Sequence, residues 1–337
     1  MAVESGLVAV TGAAGFIGSH VVEELLRHGR RVRALVHYNA LGREGHLEEA
    51  KKKLPADQLA RLEVIAGDIT DFRCVTSLVR GCEAVFHLAA LIGIPYSYAA
   101  PESYVAVNVN GTLNILEACR NESVTRLIHT SSSEVYGTAQ TTPMSENHPL
   151  QAQSPYAATK IAADKLAESY ALSFDFPVTI LRPFNTYGPR QSQRAVVPTI
   201  IAQALSDKCK SIKLGALDPV RDLTYVKDTA RAFRMIAELP TEKVIGRLYN
   251  LGAGRGITMG NLAQLILSIL KIEKPVEGLD ERKRPERSEV RTLISDNNLI
   301  RKEVGWKPET ALEEGIKETA AYIQKNIKDI RPEIYAK

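Results

Sequence analysis

Little in this 337-residue chain belongs to an exported, membrane-bound or nucleic-acid-binding protein. Its four cysteines, Cys74, Cys82, Cys119 and Cys209, have no metal-ligand spacing, and Cys82 and Cys119 lie in apolar surroundings, as buried reduced thiols do. A disulfide framework and a metal site are therefore not expected, and a cytoplasmic location is. Pro95, His87 or charged residues interrupt every apolar run before it reaches membrane-spanning length. The N-terminus also lacks the basic-then-apolar layout of a signal peptide. The net charge is only +4 and is spread along the chain, so no nucleic-acid face is expected, and Lys51-Lys52-Lys53 reads as a solvated helix end. No internal repeat or low-complexity stretch is visible.

What the chain does have is acid/base chemistry in one place. Thr130-Ser131-Ser132-Ser133-Glu134-Val135-Tyr136-Gly137 is followed by Tyr156-Ala157-Ala158-Thr159-Lys160, which supplies hydroxyls, a carboxylate, a phenol and an ammonium group. Ser154 is a good N-cap and Pro155 suits the first helical position, so Tyr156 and Lys160 fall four apart on one face of a helix. A second signal lies near the N-terminus. Leu7-Val8-Ala9-Val10 reads as a buried strand, and Gly12, Gly15 and Gly18 form a G-x-x-G-x-x-G turn into a helix that Gly29 stops. Gly12 and Gly15 let backbone approach a pyrophosphate, Gly18 lets helix and strand pack closely, and the helix N-terminus offers free N–H groups, including those of Phe16 and Ile17.

Strands are predicted near 7–11, 31–36, 62–66, 84–88, 126–131 and 178–182, alternating with helices near 16–28, 71–80, 101–121 and 155–173. This βα order predicts an α/β fold: a Rossmann-type, doubly wound parallel sheet with ligands at the carboxyl ends of its strands. Residues 1–183 make the dinucleotide-binding domain, with a later stretch of about 215–250 returning to it. Residues 184–337 make mainly a smaller C-terminal α/β substrate lobe, with short strands (212–214, 248–251), helices (196–206, 258–271, 311–326) and a long loop at 273–292. The charged run 280–291 reads either as a solvated loop or as the source of an arginine for a diphosphate.

On these motifs the chain resembles the extended short-chain dehydrogenase/reductase family, the NAD-dependent epimerases and dehydratases. Gly12, Gly15, Gly18, Ser132, Tyr156 and Lys160 carry the likeness, and His87-Leu88-Ala89-Ala90, Asn108, Arg182-to-Pro189, Arg221-Asp222, Tyr225-to-Asp228 and Arg284-Pro285 follow in the family's order over nearly the whole chain. Within it, Ala90-to-Tyr98 and Asn185-to-Pro198 are most similar to the UDP-N-acetylglucosamine 4,6-dehydratases of the legionaminic-acid type. The resemblance implies Tyr156 as base for the sugar's 4-hydroxyl, its pKa lowered by Lys160 and the nicotinamide. It further implies Ser132 as a hydrogen-bonding partner, Glu134 as the group that takes the carbon 5 proton, and Ser133 as a supporting hydroxyl. Ser133 stands where the thymidine-diphosphoglucose dehydratases have an Asp, so Glu134 serves as base and acid in turn, as in the GDP-mannose dehydratases. Ser132 replaces the Thr usual among the nearer relatives and keeps the hydroxyl.

The same resemblance implies a cofactor site built from Gly12, Gly15, Phe16, Ile17, Gly18, His37, Arg43, Asp68, Ile69, Leu88, Ala89, Ala90, Asn108, Tyr156 and Lys160. Asp68 is assigned to the adenine amine. Substrate residues are Asn185, Arg190, Val197, Arg221 and Arg284. The second strand ends in His37, Tyr38 and Asn39 without the acid that usually marks NAD, and Arg33 and Arg43 lie nearby, so NAD and NADP both stay open. The expected partners are a nucleotide-diphosphate sugar, UDP favoured, and a second copy of the chain through the helices at 101–121 and 155–173, whose apolar faces also suit an ordinary core. A 4-epimerase and a UDP-glucuronate decarboxylase are the alternative enzymes. A non-catalytic dinucleotide sensor is the alternative of another class, disfavoured by the intact Tyr156 and Lys160.

Overall fold

The computed structural model describes residues 6–280 and 285–332. In chain order its strands are β1 (Leu7–Thr11), β2 (Arg31–His37), β3 (Leu62–Gly67), β4 (Ala84–His87), β5 (Arg126–Thr130), β6 (Val178–Pro183), β7 (Asn185–Tyr187), β8 (Ile212–Leu214), β9 (Val220–Tyr225), β10 (Leu248–Leu251), β11 (Gly256–Thr258), β12 (Val276–Gly278) and β13 (Thr292–Leu293). Seven of them form one sheet in the order β10-β6-β5-β4-β1-β2-β3, every pair parallel. β4 and β6 are buried along their whole length, as a sheet covered on both faces requires. The strand order reverses between β1 and β4, which puts the ligand crevice above Thr11 and His87, neighbours in that register.

Helices cover both faces. On one side Phe16–Arg27 and Val226–Glu238 bury Val21, Leu25, Leu26, Phe233 and Ile236 against the sheet. On the other, Phe72–Val79, Gly111–Asn121 and Pro155–Phe174 bury Val75, Leu78, Ile115, Leu116, Ala167 and Tyr170. A separate apolar cluster, with Ile200, Ile201, Leu262, Ile266 and Ile316, lies under the lobe formed by the helices Val196–Leu205, Met259–Leu270 and Leu312–Lys325 and the small sheets around β9 and β8.

Some elements depart from the sequence reading. The helix expected at 101–121 is broken into Pro101–Tyr104, a wider π turn at Val105–Asn110, and Gly111–Asn121. π turns concentrate at functional sites, and this one carries Asn108. The 273–292 loop is also interrupted, by β12 pairing with β8 and by a short 3₁₀ turn at Glu286–Ser288. β9 and the helices Val226–Glu238 and Asn298–Val304 were not predicted.

Candidate active site

β1 delivers the chain into the glycine turn. Gly12 has φ +67°, and a Cβ there would lie 2.8 Å from the Ala89 nitrogen, while one on Gly18 would lie 2.1 Å from the Gly12 carbonyl oxygen. The turn is thus pressed against both the segment that follows β4 and its own helix. Gly15 caps Phe16–Arg27 without a side-chain hydrogen bond, which leaves first-turn N–H groups, those of Phe16 and Ile17 among them, for an anion. These features fit a dinucleotide's pyrophosphate.

Below the turn, Thr11 Oγ1 accepts from the Leu88 and Ala89 nitrogens at 3.1 and 3.0 Å and lies 2.9 Å from His87 Nδ1. Thr112 Oγ1 donates to the Asn108 carbonyl at 2.6 Å, so at 3.1 Å from His87 Nε2 it accepts. The network therefore assigns the ring hydrogen to Nε2 and leaves Nδ1 to accept from Thr11. Burial pushes the His87 pKa far down, helped by His129 and Lys160, so this ring is neutral.

Several expected cofactor groups are occupied. The Leu88 and Ala89 nitrogens are spent on Thr11, and Ala90 is half-buried beside them. Asn108 exchanges hydrogen bonds with the Leu91 backbone (2.8 and 3.0 Å) and donates to Thr159 Oγ1 at 3.1 Å, so it fastens the β4 loop to the Tyr156 helix. The Ile69 side chain is buried against Gly111. Arg33, read as a possible 2′-phosphate group, instead bonds Glu63 at 2.8 Å and the carbonyls of Leu78 and Arg80 at 3.0 and 2.9 Å. His37 and Arg43 are exposed near the end of β2, and the Asn39 side chain closes the loop between them by bonding the Arg43 nitrogen and carbonyl at 3.0 and 2.7 Å. Asp68 accepts from the Thr70 nitrogen and hydroxyl, both at 2.8 Å, and faces His37 at 3.5 Å.

The residues expected to be catalytic converge over β5. Ser132 Oγ accepts from the Glu134 nitrogen at 3.2 Å and so caps the 3₁₀ turn Ser133–Tyr136, which Gly137 ends at φ +63°. Ser154 Oγ accepts from the Ala157 nitrogen at 3.1 Å, starting the helix that carries Tyr156 and Lys160. Ser132 hydrogen-bonds the Tyr156 hydroxyl, and the Glu134 carboxylate lies near enough to oppose ionisation of that phenol. Ser133 is buried beneath them. The phenol was expected below its ordinary pKa. Burial among Ile94, Leu91 and Tyr104 instead holds it well above, with Glu134 and Asp164 adding to the rise and Ser132 opposing it. Lys160 Nζ donates to the Thr130 carbonyl at 2.6 Å. Burial lowers its pKa to about 8, although Asp164 draws it back up.

In the lobe, Asn185 Oδ1 is buried without a hydrogen-bond partner. Arg221 lies 3.3 Å from Glu289, which with Asp218, Glu286, Arg291 and the loop from Gly215 to Leu217 lines a cleft of about 660 Å³. The sequence reading missed the 215–218 loop, whose small residues carry no chemical signature. Val197 is buried in the lobe. Arg190 is turned away from the cleft: Nη2 bonds Glu23 at 2.7 Å and Nη1 bonds Ser19 at 3.2 Å, so it ties the lobe to the first helix. Arg284 lies outside the described residues. Among the described residues no cluster could hold a metal ion and no helix is long and apolar enough to cross a membrane.

Comparison with known proteins bears on this site. The GDP-mannose 4,6 dehydratase family model matches residues 9–319. A UDP-glucose 4-epimerase of Mycolicibacterium smegmatis is 34% identical over 319 residues, covering 94% of this chain and 97% of that one. Among solved structures, dTDP-glucose 4,6-dehydratase from Streptomyces venezuelae, with NAD bound, has a TM-score of 0.85 at 27% identity, covering 97% of this chain and 99% of that one. UDP-N-acetylglucosamine 4-epimerase from Methanobrevibacter ruminantium, in complex with UDP-N-acetylmuramic acid, has a TM-score of 0.84 at 29% identity, covering 96% and 100%. With its parallel sheet, glycine turn and Ser132, Tyr156 and Lys160 site, the chain belongs to the GDP-mannose 4,6 dehydratase family, among the extended short-chain NAD-dependent dehydratases and epimerases of nucleotide sugars.

Proposed function

We propose that the protein is a UDP-N-acetylglucosamine 4,6-dehydratase. The observation that carries this reading is Glu134, a carboxylate on the same turn as Ser132 and close to the Tyr156 phenol. A 4-epimerase has no use for a base at that point, whereas a dehydratase needs one for carbon 5. The substrate class rests on the family and on the lobe, where Arg221 suits a diphosphate and the unpaired Asn185 acceptor suits a donor such as a sugar hydroxyl. UDP and the acetamido group rest on the sequence resemblance. Exposed Val105, Leu113 and Leu172 on the helices flanking the site support a homodimer.

When bound, the nicotinamide supplies the hydride acceptor for carbon 4, the later hydride donor for carbon 6, and, when oxidised, a positive charge. Tyr156 takes the proton of the 4-hydroxyl while Ser132 holds the same oxygen, and the nearby Lys160 ammonium stabilises the phenolate. The carbon 4 ketone acidifies carbon 5. Glu134 takes that proton and returns it to the departing 6-hydroxyl, which leaves as water. As carbon 6 is reduced, carbon 5 takes up the proton that Tyr156 received from the 4-hydroxyl, directly or by way of solvent, so the net change is loss of one water.

Incubation with UDP-N-acetylglucosamine should yield a 4-keto-6-deoxy sugar with no net consumption of cofactor, read by mass and NMR. Recovery of only a 4-epimer of unchanged mass would establish the epimerase instead. Release of carbon dioxide from UDP-glucuronate, without action on the acetamido sugar, would establish the decarboxylase.

A further inference from the structure

A buried polar chain runs under the site that the mechanism does not use. Asp164 lies on the Tyr156 helix, one turn beyond Lys160 and two beyond Tyr156, and is completely buried. Its Oδ2 accepts from Ser131 Oγ at 2.7 Å and from Arg182 Nε and Nη2 at 3.0 and 2.9 Å, while Oδ1 lies 3.2 Å from His129 Nε2. Arg182, on β6, donates through Nη1 to Tyr136 Oη at 2.9 Å and stacks 4.9 Å from the centre of that ring. Tyr136 Oη in turn donates to Asn250 Oδ1 at 2.7 Å, and Asn250 Nδ2 donates to the Met144 carbonyl at 3.0 Å. Burial opposes the Asp164 charge, but His129 and Arg182 outweigh it and hold the carboxylate below its ordinary pKa.

The two ends of this chain grip the two ends of one segment. Ser131 immediately precedes Ser132, and Tyr136 follows Glu134 by two residues, while Tyr156 rides on the helix that carries Asp164. We propose that the buried Asp164–Arg182 pair is a two-ended clamp that positions Ser132 and Glu134 separately against Tyr156. The Ser131 arm sets the hydroxyl for the hydride-transfer step. The Tyr136 arm sets the carboxylate for proton removal at carbon 5. A buried ion pair adds little net stability over apolar residues of the same shape, yet losing one member strands a charge. Geometry is therefore the property such a pair supplies here. The elimination half of the proposal rests on the dehydratase reading above.

Asp164→Asn and Arg182→Met risk misfolding, so the arms are tested singly. Tyr136→Phe keeps the ring over Arg182 and its contacts with His148 and Phe184. Small misplacements of reacting groups cost up to about 100-fold, so in single turnover this variant should transfer hydride within about twofold of the wild-type rate but lose about 10- to 100-fold in deuterium uptake at carbon 5. Ser131→Ala should show the converse, a slower hydride step from the outset. Melting temperature is recorded for both. The clamp is overturned if either variant keeps both rates, or if both steps fall together in proportion to lost stability. A wild type that never exchanges carbon 5 refutes the dehydratase reading, and the Ser131→Ala hydride rate then still decides the clamp.

Discussion

At the residue scale the proposed reaction divides labour between the Tyr156 phenol and the Glu134 carboxylate, which is near enough to oppose ionisation of that phenol. Tyr156 begins too weakly acidic to serve as a base unaided, because burial and two carboxylates raise its pKa. In the proposed reaction its proton transfer therefore depends on positive charge supplied by the Lys160 ammonium and the bound nicotinamide. Tyr156→Phe should lower the hydride step by about 100-fold to 10,000-fold, the usual contribution of a general acid/base group, while cofactor affinity measured by fluorescence titration stays near wild type. Glu134→Gln keeps size and hydrogen bonding but not basicity. It should still form the ketone, so reduced nicotinamide accumulates in its near-ultraviolet band while deuterium fails to enter carbon 5. Normal dehydration by that variant would make the carboxylate structural.

Among the elements, the glycine turn and the Ser154-capped helix are the parts whose local chemistry was most legible. Strand, turn and helix are each specified by neighbours in the chain, and the turn's three glycines meet the close approaches measured at Gly12 and Gly18. A methyl at Gly18 would sit 2.1 Å from the Gly12 carbonyl oxygen, so Gly18→Ala must displace the turn. Such overpacking costs about 1–3 kcal/mol of stability, and the displaced turn should bind the dinucleotide more weakly than the wild type. Titration of the variant with the reduced dinucleotide checks this, and unchanged affinity would remove the turn from the binding site. The π turn at Val105–Asn110 was illegible, because apolar periodicity barely distinguishes it from a helix.

For the whole molecule, the contact between lobe and sheet is itself pH-sensitive. His20 on the first helix lies 3.1 Å from the Pro189 carbonyl through Nε2, beside the Arg190–Glu23 pair. Burial and Arg190 lower its pKa from 6.5 to about 4. Between those values the unfolded chain takes up a proton that the folded chain refuses, so stability falls as pH drops below 6.5 and levels off below about 4. The full contribution is on the order of 3 kcal/mol. His20→Gln keeps a donor for Pro189 and should flatten this part of the acid-side decline, seen as a smaller loss of melting temperature between pH 6.5 and pH 4 than in the wild type. Equal slopes would show that His20 does not titrate in this way.

The sequence by itself determined the α/β class, the succession of buried strands along the chain and the grouping of Ser132, Glu134, Tyr156 and Lys160 as candidate acid/base residues. Each of these depends on residues close in the chain, through apolar period, caps and turn glycines. Only the tertiary structure decided which polar groups remain available. Arg190 and Arg33 were credible anion binders as sequence, yet folding commits them to Glu23 and Glu63. Asn108 proved a fastener of the β4 loop, and Asp164 joined Ser131 to Arg182 across three elements. A buried charge must find a partner, and that partner is set by which strands and helices end up adjacent, a property no local window of the chain contains.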